Sequence, residues 1–319
     1  MKKIVVLEPG YVHYREEEAI LAAFHPQFVV IPANTARDAL LEQLRDADAV
    51  MLREARLDSG MIAVLDKCQA VVRYGVGVDN VDLVAAKEKG IYVANVPDYG
   101  SEDVAEHALA LLLAATRRIT SRNQQVHRGQ WNIGQAEPMF RMSGKVLGVV
   151  GFGRIARCLA AKARGIGFRS LLVCDPLLDT QAAEDAGVVS VSLETLCREA
   201  DFISLHVPLS EQTRYLIGAQ QLAMMKPTSV LVNTSRGGLI DETALFQALQ
   251  NRQLFAAGLD VFEQEPIRAD HPLLTLPEVI CTDHTAWFTE ESVIELQRKA
   301  AQEVLRVFEG NTPLNWVNR

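Results

Sequence analysis

Residues 230–241, VLVNTSRGGLID, begin as a buried strand and end on a charge. Val230, Leu231 and Val232 lead through Asn233, Thr234 and Ser235 to Arg236, and Gly237 and Gly238 follow at once. A guanidinium there is costly unless it meets water, a carboxylate or a ligand. A second stretch, VLGVVGFGRIARCLAAKA, spells G-x-G-x-x-A with Gly151, Gly153 and Ala156 between a strand pattern and a helix pattern. In that context the first glycine permits a tight turn, the second lets backbone amides approach a pyrophosphate, and the alanine allows close helix–strand packing. The helix end adds the positive pole of its dipole. Nineteen positions on, LLVCDP ends in Asp175, placed to accept hydrogen bonds from an adenosine ribose and to repel a 2′-phosphate. The chemistry expected is therefore dinucleotide binding, with NAD favoured over NADP. Without a ligand the same residues are a glycine turn and a capping aspartate.

The elements that must carry these residues alternate. KKIVVLEP, FVVIP, AVMLR, AVVRYGVG and IYVANVP are short apolar runs separated by helical patterns. A second series, KVLGVVGFG, SLLVCDP, VVSVS, DFISLHVP, SVLVNTS, FAAGLDVF and VICTDH, behaves alike. The strands are apolar throughout rather than at every second position, as burial on both faces requires. The pattern predicts an α/β protein of two doubly wound parallel-sheet units, the larger a Rossmann dinucleotide-binding domain. Between the series, SEDVAEHALALLLAATRRIT predicts a long helix with Ser101 as N-cap and Glu102 and Asp103 in its first turn. A looser stretch from about 121 to 143 follows. The chain closes on an amphipathic helix opened by Thr289 with Glu290 and Glu291.

Composition narrows the partners. With 32 Lys and Arg against 40 Asp and Glu, a net charge of −8 argues against nucleic-acid or anionic-membrane binding. No apolar run is long enough to cross a bilayer, and the first ten residues are too short an apolar segment for a signal peptide. Five widely spaced cysteines, with no CxxC and no zinc spacing, predict reduced thiols in a cytoplasmic protein and no metal site.

Taken together, RYGVGVDNVDL, GFGRIA, NTSRGGLIDETAL, AAGLDVFEQEP and HTAW make the chain resemble the D-isomer-specific 2-hydroxyacid dehydrogenases over essentially its whole length. The resemblance extends to the phosphoglycerate dehydrogenases and, through HTAW, to the C-terminal-binding-protein branch. It implies a discontinuous substrate domain, residues 1–98 plus 288–319, and an inserted NAD-binding domain, residues 99–287, with the cleft between them. It further implies a homodimer supported by the long helix near 101–119. Arg236 matches the arginine that grips the substrate carboxylate and carbonyl, a task suited to an always-charged bidentate donor. The alternative is an Arg–Asp surface pair. Gly237 and Gly238 would let the backbone turn away without crowding substrate. His284 matches the acid/base that exchanges the hydroxyl proton, and Glu265 the carboxylate that orients its imidazole and raises its pKa.

Cofactor positions carry over to Arg154 and Ile155 at the pyrophosphate, Val207 and Pro208 on the adenine side, and Thr234 near the nicotinamide ribose. Asp260 would accept from the carboxamide. The backbone amides of Val76 and Gly77 would form a small anion nest for the substrate carboxylate. Arg53 and Arg73, at the ends of early strands, would read a second anionic group such as a phosphate or simply make surface ion pairs. Trp287 would wall the pocket or pack between domains, while His107 and His206 read as structural. Asp283 stands where the family usually has proline, and its carboxylate would raise the His284 pKa or pair elsewhere. The chain ends soon after its last helix, which predicts no appended regulatory domain. The expected activity is reversible hydride transfer between NADH and a small 2-oxo acid, phosphoglycerate- or hydroxypyruvate-like among others. The alternative is an NADH-sensing binding protein of the corepressor type, and a formate dehydrogenase is disfavoured by Glu265 in place of Gln.

Overall fold

The structure is a computed structural model that describes residues 1–7, 10–131 and 137–319. The chain divides into two compact units, Met1–Gly100 with Phe288–Arg319, and Ser101–Trp287. The first unit is built on five strands: β1 Lys2–Leu7, β2 Pro26–Ile31, β3 Ala49–Leu52, β4 Ala70–Arg73 and β5 Tyr92–Ala94. They pair in the order β2-β1-β3-β4-β5, all parallel. Val5, Val50, Val71 and Val93 pack one face of this sheet into an apolar core. The C-terminal helix Glu290–Phe308 belongs to this unit, where Gln297 donates to His13 O and to the buried carboxylate of Glu17. Its start is capped as its sequence predicts, Thr289 accepting from the Ser292 N–H.

The second unit holds seven strands: β6 Val146–Val150, β7 Ser170–Cys174, β8 Val189–Ser190, β9 Phe202–Leu205, β10 Val230–Asn233, β11 Ala256–Leu259 and β12 Val279–Cys281. Their order is β12-β11-β10-β9-β6-β7-β8, again all parallel. The expected α/β class with two parallel sheets is what the chain forms. The topology reverses between β6 and β9, and the carboxyl ends of strands at such a reversal are where open α/β sheets bind ligands. The long helix Ser101–Thr116 starts on Ser101 itself, so Ser101 is its first helical residue rather than its N-cap, and Glu102 anchors it to Lys162 at 2.7 Å. Part of the loose 121–143 stretch is helical, Ile119–His127, and residues 132–136 within it lie outside the described residues.

Candidate active site

The glycine turn follows β6 directly. Gly151 has φ +86°, and a Cβ there would stand 2.6 Å from the His206 carbonyl, so both its conformation and its neighbour exclude a side chain. Gly153 has open space where its Cβ would be. It is the N-cap of the helix Arg154–Ala163 and offers no side-chain acceptor, which leaves first-turn N–H groups for an outside anion. Arg154 is exposed on that end, Ile155 half-buried, and Ala156 fully buried against the sheet. Asp175, just past β7, accepts from the Phe152 N–H of the glycine turn at 2.7 Å and from the Leu177 N–H at 2.8 Å. The carboxylate is thereby aimed at the mouth of the turn.

Across the topological reversal, β9 delivers His206, Val207 and Pro208. The Val207 side chain closes against Gly151. Burial holds the His206 imidazole down to a pKa of about 4, so it is neutral at pH 7. One ring nitrogen, Nε2, lies 2.9 Å from Ser204 Oγ, while Nδ1 is buried with no partner among the described residues. The Thr234 hydroxyl, beyond β10, is likewise buried and unpartnered. Buried polar atoms in folded proteins find partners, and two orphans beside an uncapped helix end and an open glycine fit a polar dinucleotide. The sequence gives His206 only a structural reading, and no pattern in its neighbourhood marks the orphaned nitrogen.

Arg236, Glu265 and His284 converge at the ends of β10, β11 and β12. Asn233 shapes the approach, donating to the Arg236 carbonyl at 2.8 Å and accepting from the Ser235 N–H. Gly237 has a different reason from the one expected: a Cβ there would fall 1.8 Å from the Phe262 carbonyl carbon. The Arg236 turn thus rests backbone to backbone on the loop that carries Glu265. Glu265 is held at both oxygens, Oε1 accepting from the Phe262 N–H at 2.9 Å and Oε2 facing His284 Nδ1 at 2.7 Å. Burial pushes its pKa up, but the hydrogen bonds from His284 and Phe262 and the charges of His284 and Arg236 outweigh this and hold it below its ordinary value. An ionised carboxylate only accepts, so Nδ1 carries a proton and Nε2 is the nitrogen that gains and releases one.

His284 sits in a left-handed backbone conformation, φ +57°, unfavourable for a residue with a Cβ. Asp260, 1% exposed, holds that turn: its carbonyl accepts from the His284 N–H, and its carboxylate accepts from the Thr285 and Ala286 N–H groups and the Thr282 hydroxyl. Expected as a carboxamide acceptor, Asp260 has both oxygens engaged in the turn. Asp283 is exposed and accepts from the Thr285 hydroxyl at 3.2 Å, so it pairs elsewhere than on the imidazole. Trp287 is half-buried three residues past His284.

In the first unit, Arg73 is 7% exposed, donating to the Arg53 carbonyl at 3.2 Å and to Glu54 at 3.1 Å. Of its two expected fates it adopts the ion pair, with the arginine buried and Glu54 half exposed. Arg53 is half-buried, 3.9 Å from Glu54. The Val76 and Gly77 N–H groups meet no acceptor among the described residues, as an anion nest requires.

An open parallel sheet with a glycine turn at its reversal, beside an Arg/Glu/His set, defines an α/β protein of the two-unit, nucleotide-binding kind. Residues 109–286 match the family described as "D-isomer specific 2-hydroxyacid dehydrogenase, NAD binding domain". A D-3-phosphoglycerate dehydrogenase of Methanocaldococcus jannaschii is 40% identical over all of this chain and 60% of its own length. A glyoxylate reductase of Korarchaeum cryptofilum is 39% identical over 90% of this chain and 87% of its own. The crystal structure of a D-lactate dehydrogenase from Aquifex aeolicus, complexed with NAD and lactic acid, superposes with a TM-score of 0.86 at 25% identity, covering 97% of this chain and 96% of that one. The chain spans less than two thirds of the first relative's length. It belongs to the D-isomer specific 2-hydroxyacid dehydrogenase family. The resemblance in its motifs is borne out, and NAD is the cofactor the family match and the glycine turn both indicate. Among the described residues no helix is long and apolar enough to cross a membrane.

Proposed function

We propose that this chain reduces a small 2-oxo acid to its D-2-hydroxy acid with NADH and runs the reverse oxidation, with Arg236, Glu265 and His284 as its catalytic set. The observation that carries the reading is the His284–Glu265 contact at 2.7 Å, with the Arg236 charge acting on the same carboxylate. NADH, when bound, supplies the hydride to the carbonyl carbon. Arg236 anchors the carboxylate and polarises the carbonyl, and His284 Nε2 gives its proton to the forming alkoxide oxygen. Glu265 holds the ring and stabilises its charged form. Gly151, Gly153, Arg154 and Ile155 take the pyrophosphate, Asp175 the adenosine ribose, Val207 and Pro208 the adenine side, and Thr234 the nicotinamide ribose. The Asp260 carboxylate serves the turn first and the carboxamide only where lone pairs remain.

The substrate class we assign is small 2-oxo and 2-hydroxy acids, glyoxylate and 3-phosphoglycerate after the names of the relatives and hydroxypyruvate as a further acid of that size. Val76 and Gly77 offer their amides to a carboxylate, Arg53 reads any second anionic group, and Arg73 buttresses Arg53 through its carbonyl. Trp287 lines the substrate side. We also assign a homodimer, supported by Leu113, Ile119, Val126, Trp131 and Met139, large apolar side chains exposed on and after the long helix. A reducing cytoplasm fits five cysteines without a disulfide, and the acidic composition disfavours nucleic acid and membrane surfaces. The relatives named above are named as enzymes, which gives the corepressor-type reading no support. Following NADH oxidation with a panel of 2-oxo acids tests the proposal: turnover of at least one is expected, and NADH binding without turnover of any would overturn it.

A further inference from the structure

We infer that His107 is a positioning residue for His284, acting through Thr282 and Asp260; the inference rests on the reaction proposed above. His107 projects from the helix Ser101–Thr116, with Nε2 3.0 Å from Thr282 Oγ1 and 3.5 Å from Asp260 Oδ1. The Thr282 hydroxyl donates its single proton to Asp260 Oδ1 at 2.6 Å. Its oxygen can then only accept from His107, so Nε2 carries the proton there. Three members in series, imidazole, hydroxyl and carboxylate, connect a helix to the turn that carries His284.

The turn needs such a hold. Three successive N–H groups, those of His284, Thr285 and Ala286, donate to Asp260, the first to its carbonyl and the others to its carboxylate. His284 itself lies in the left-handed region, which an L-residue adopts only where its surroundings enforce it. A carboxylate buried to 1% exposure keeps its orientation only while its hydrogen bonds are complete. His107 completes this set from the far side of Thr282. Without it, Thr282 loses the donor that fixes its hydroxyl, the Asp260 carboxylate gains freedom to rotate, and His284 Nε2 loses its fixed aim at the substrate oxygen.

The test compares H107L with H107Q, whose amide nitrogen reaches about where Nε2 lies, and with T282V, each in the full chain. For H107L in the reductive direction we expect kcat to fall about tenfold, the scale of effect a small misplacement of a reacting group produces. KM and the NADH Kd should stay within about twofold of wild type, since neither ligand touches His107 in the proposed reaction. H107Q restores most of kcat. T282V reproduces the loss, and H107L/T282V is no worse than either alone, because one series is broken in both. Equal kcat in H107L and wild type, equal impairment of H107L and H107Q, or losses that multiply in the double variant would each overturn the assignment. Should H107L fail to fold, T282V against T282S carries the same comparison. An NMR titration of the His284 imidazole gives a readout independent of turnover: its pKa falls in H107L as the contact with Glu265 loosens, and recovers in H107Q. A wild-type chain that turns over no 2-oxo acid defeats the functional reading, whereas an imidazole titration unmoved by H107L defeats the positioning role.

Discussion

Two arginines, one at the end of a strand and one just past the end of another, meet opposite fates in this chain. Arg73 closes β4 in the first unit, and Arg236 follows β10 in the second by three residues. Arg73 is buried, and its guanidinium is committed to the Arg53 carbonyl and to Glu54. Gly75, at φ +139°, makes room for it, since a Cβ there would fall 1.5 Å from Arg73 Nη1. Arg236 is half-buried, one Nη donates to its neighbour's carbonyl, and its charge acts on Glu265. The first unit turns its buried charges inward: Glu17 is fully buried, with Tyr74 donating to it at 2.7 Å, and burial pushes its pKa up. The second unit gathers its charges on loops at strand ends, where they act on one another and, in the proposed reaction, on substrate. A guanidinium at a strand end is thus committed to structure or left to act on its neighbours, and in the proposed reaction on substrate, according to what the adjoining loop leaves beside it.

Mutagenesis can break this contrast. Arg236→Ala should have the largest effect, lowering kcat/KM for every accepted 2-oxo acid by about a thousandfold, as removal of a transition-state charge partner does. The melting temperature should stay close to wild type; full kcat/KM in the variant would remove Arg236 from the catalytic set. Glu265→Gln should cost about a hundredfold in kcat and move the pH profile. A nearby carboxylate favours the imidazolium, so its loss lowers the His284 pKa. Reduction uses the protonated ring, and the alkaline limb of the reduction profile therefore shifts to lower pH. The Glu265 pKa is depressed in the folded protein, so its ionisation stabilises the fold above the ordinary carboxylate range and ceases to do so as pH falls through the depressed value. The Gln variant should accordingly lose less stability on acidification, as acid-unfolding curves of the two proteins would register.

Arg73→Leu sharpens the comparison from the other side. It should lower stability by about 1–2 kcal/mol, because Glu54 is half exposed and keeps its hydration when the pair is broken. It should leave kcat/KM for glyoxylate within about threefold, the scatter expected of a change away from the reacting groups. A large loss confined to phosphorylated substrates would instead give Arg73 the anion-reading role proposed for Arg53. Asp283→Asn should have the smallest effect, since the side chain is exposed and bonded to the Thr285 hydroxyl. Its pH–rate profile should overlay wild type, and a clear shift would restore the reading in which Asp283 tunes His284.

Much of the fold is legible in the residues themselves. Apolar runs of a few residues announce both parallel sheets, because strands covered on two faces have no polar side. The glycine turn and Asp175 are legible because Gly151 answers a backbone constraint and the spacing is local. Gly237 stands out in the sequence for a reason the structure replaces, since nothing in residues 230–241 shows that the Phe262–Glu263 peptide lies against it. Glu17, one of three successive glutamates, cannot be singled out, because its partner Gln297 is 280 positions away. Asp260, His107 and Thr282 are also long-range partners, and their hydrogen bonds carry no periodicity.

What the amino-acid order determined by itself is whatever depends on neighbours along the chain: which runs become strands, where the glycine turn falls, which side chains carry charge. What the tertiary structure alone decided is how those groups are used. A hydrogen bond needs its partners within about 3 Å, and that distance between residues far apart in the chain is set by packing. Packing committed Arg73 to Glu54, set Glu265 against His284, and hung the His284 turn on a buried aspartate.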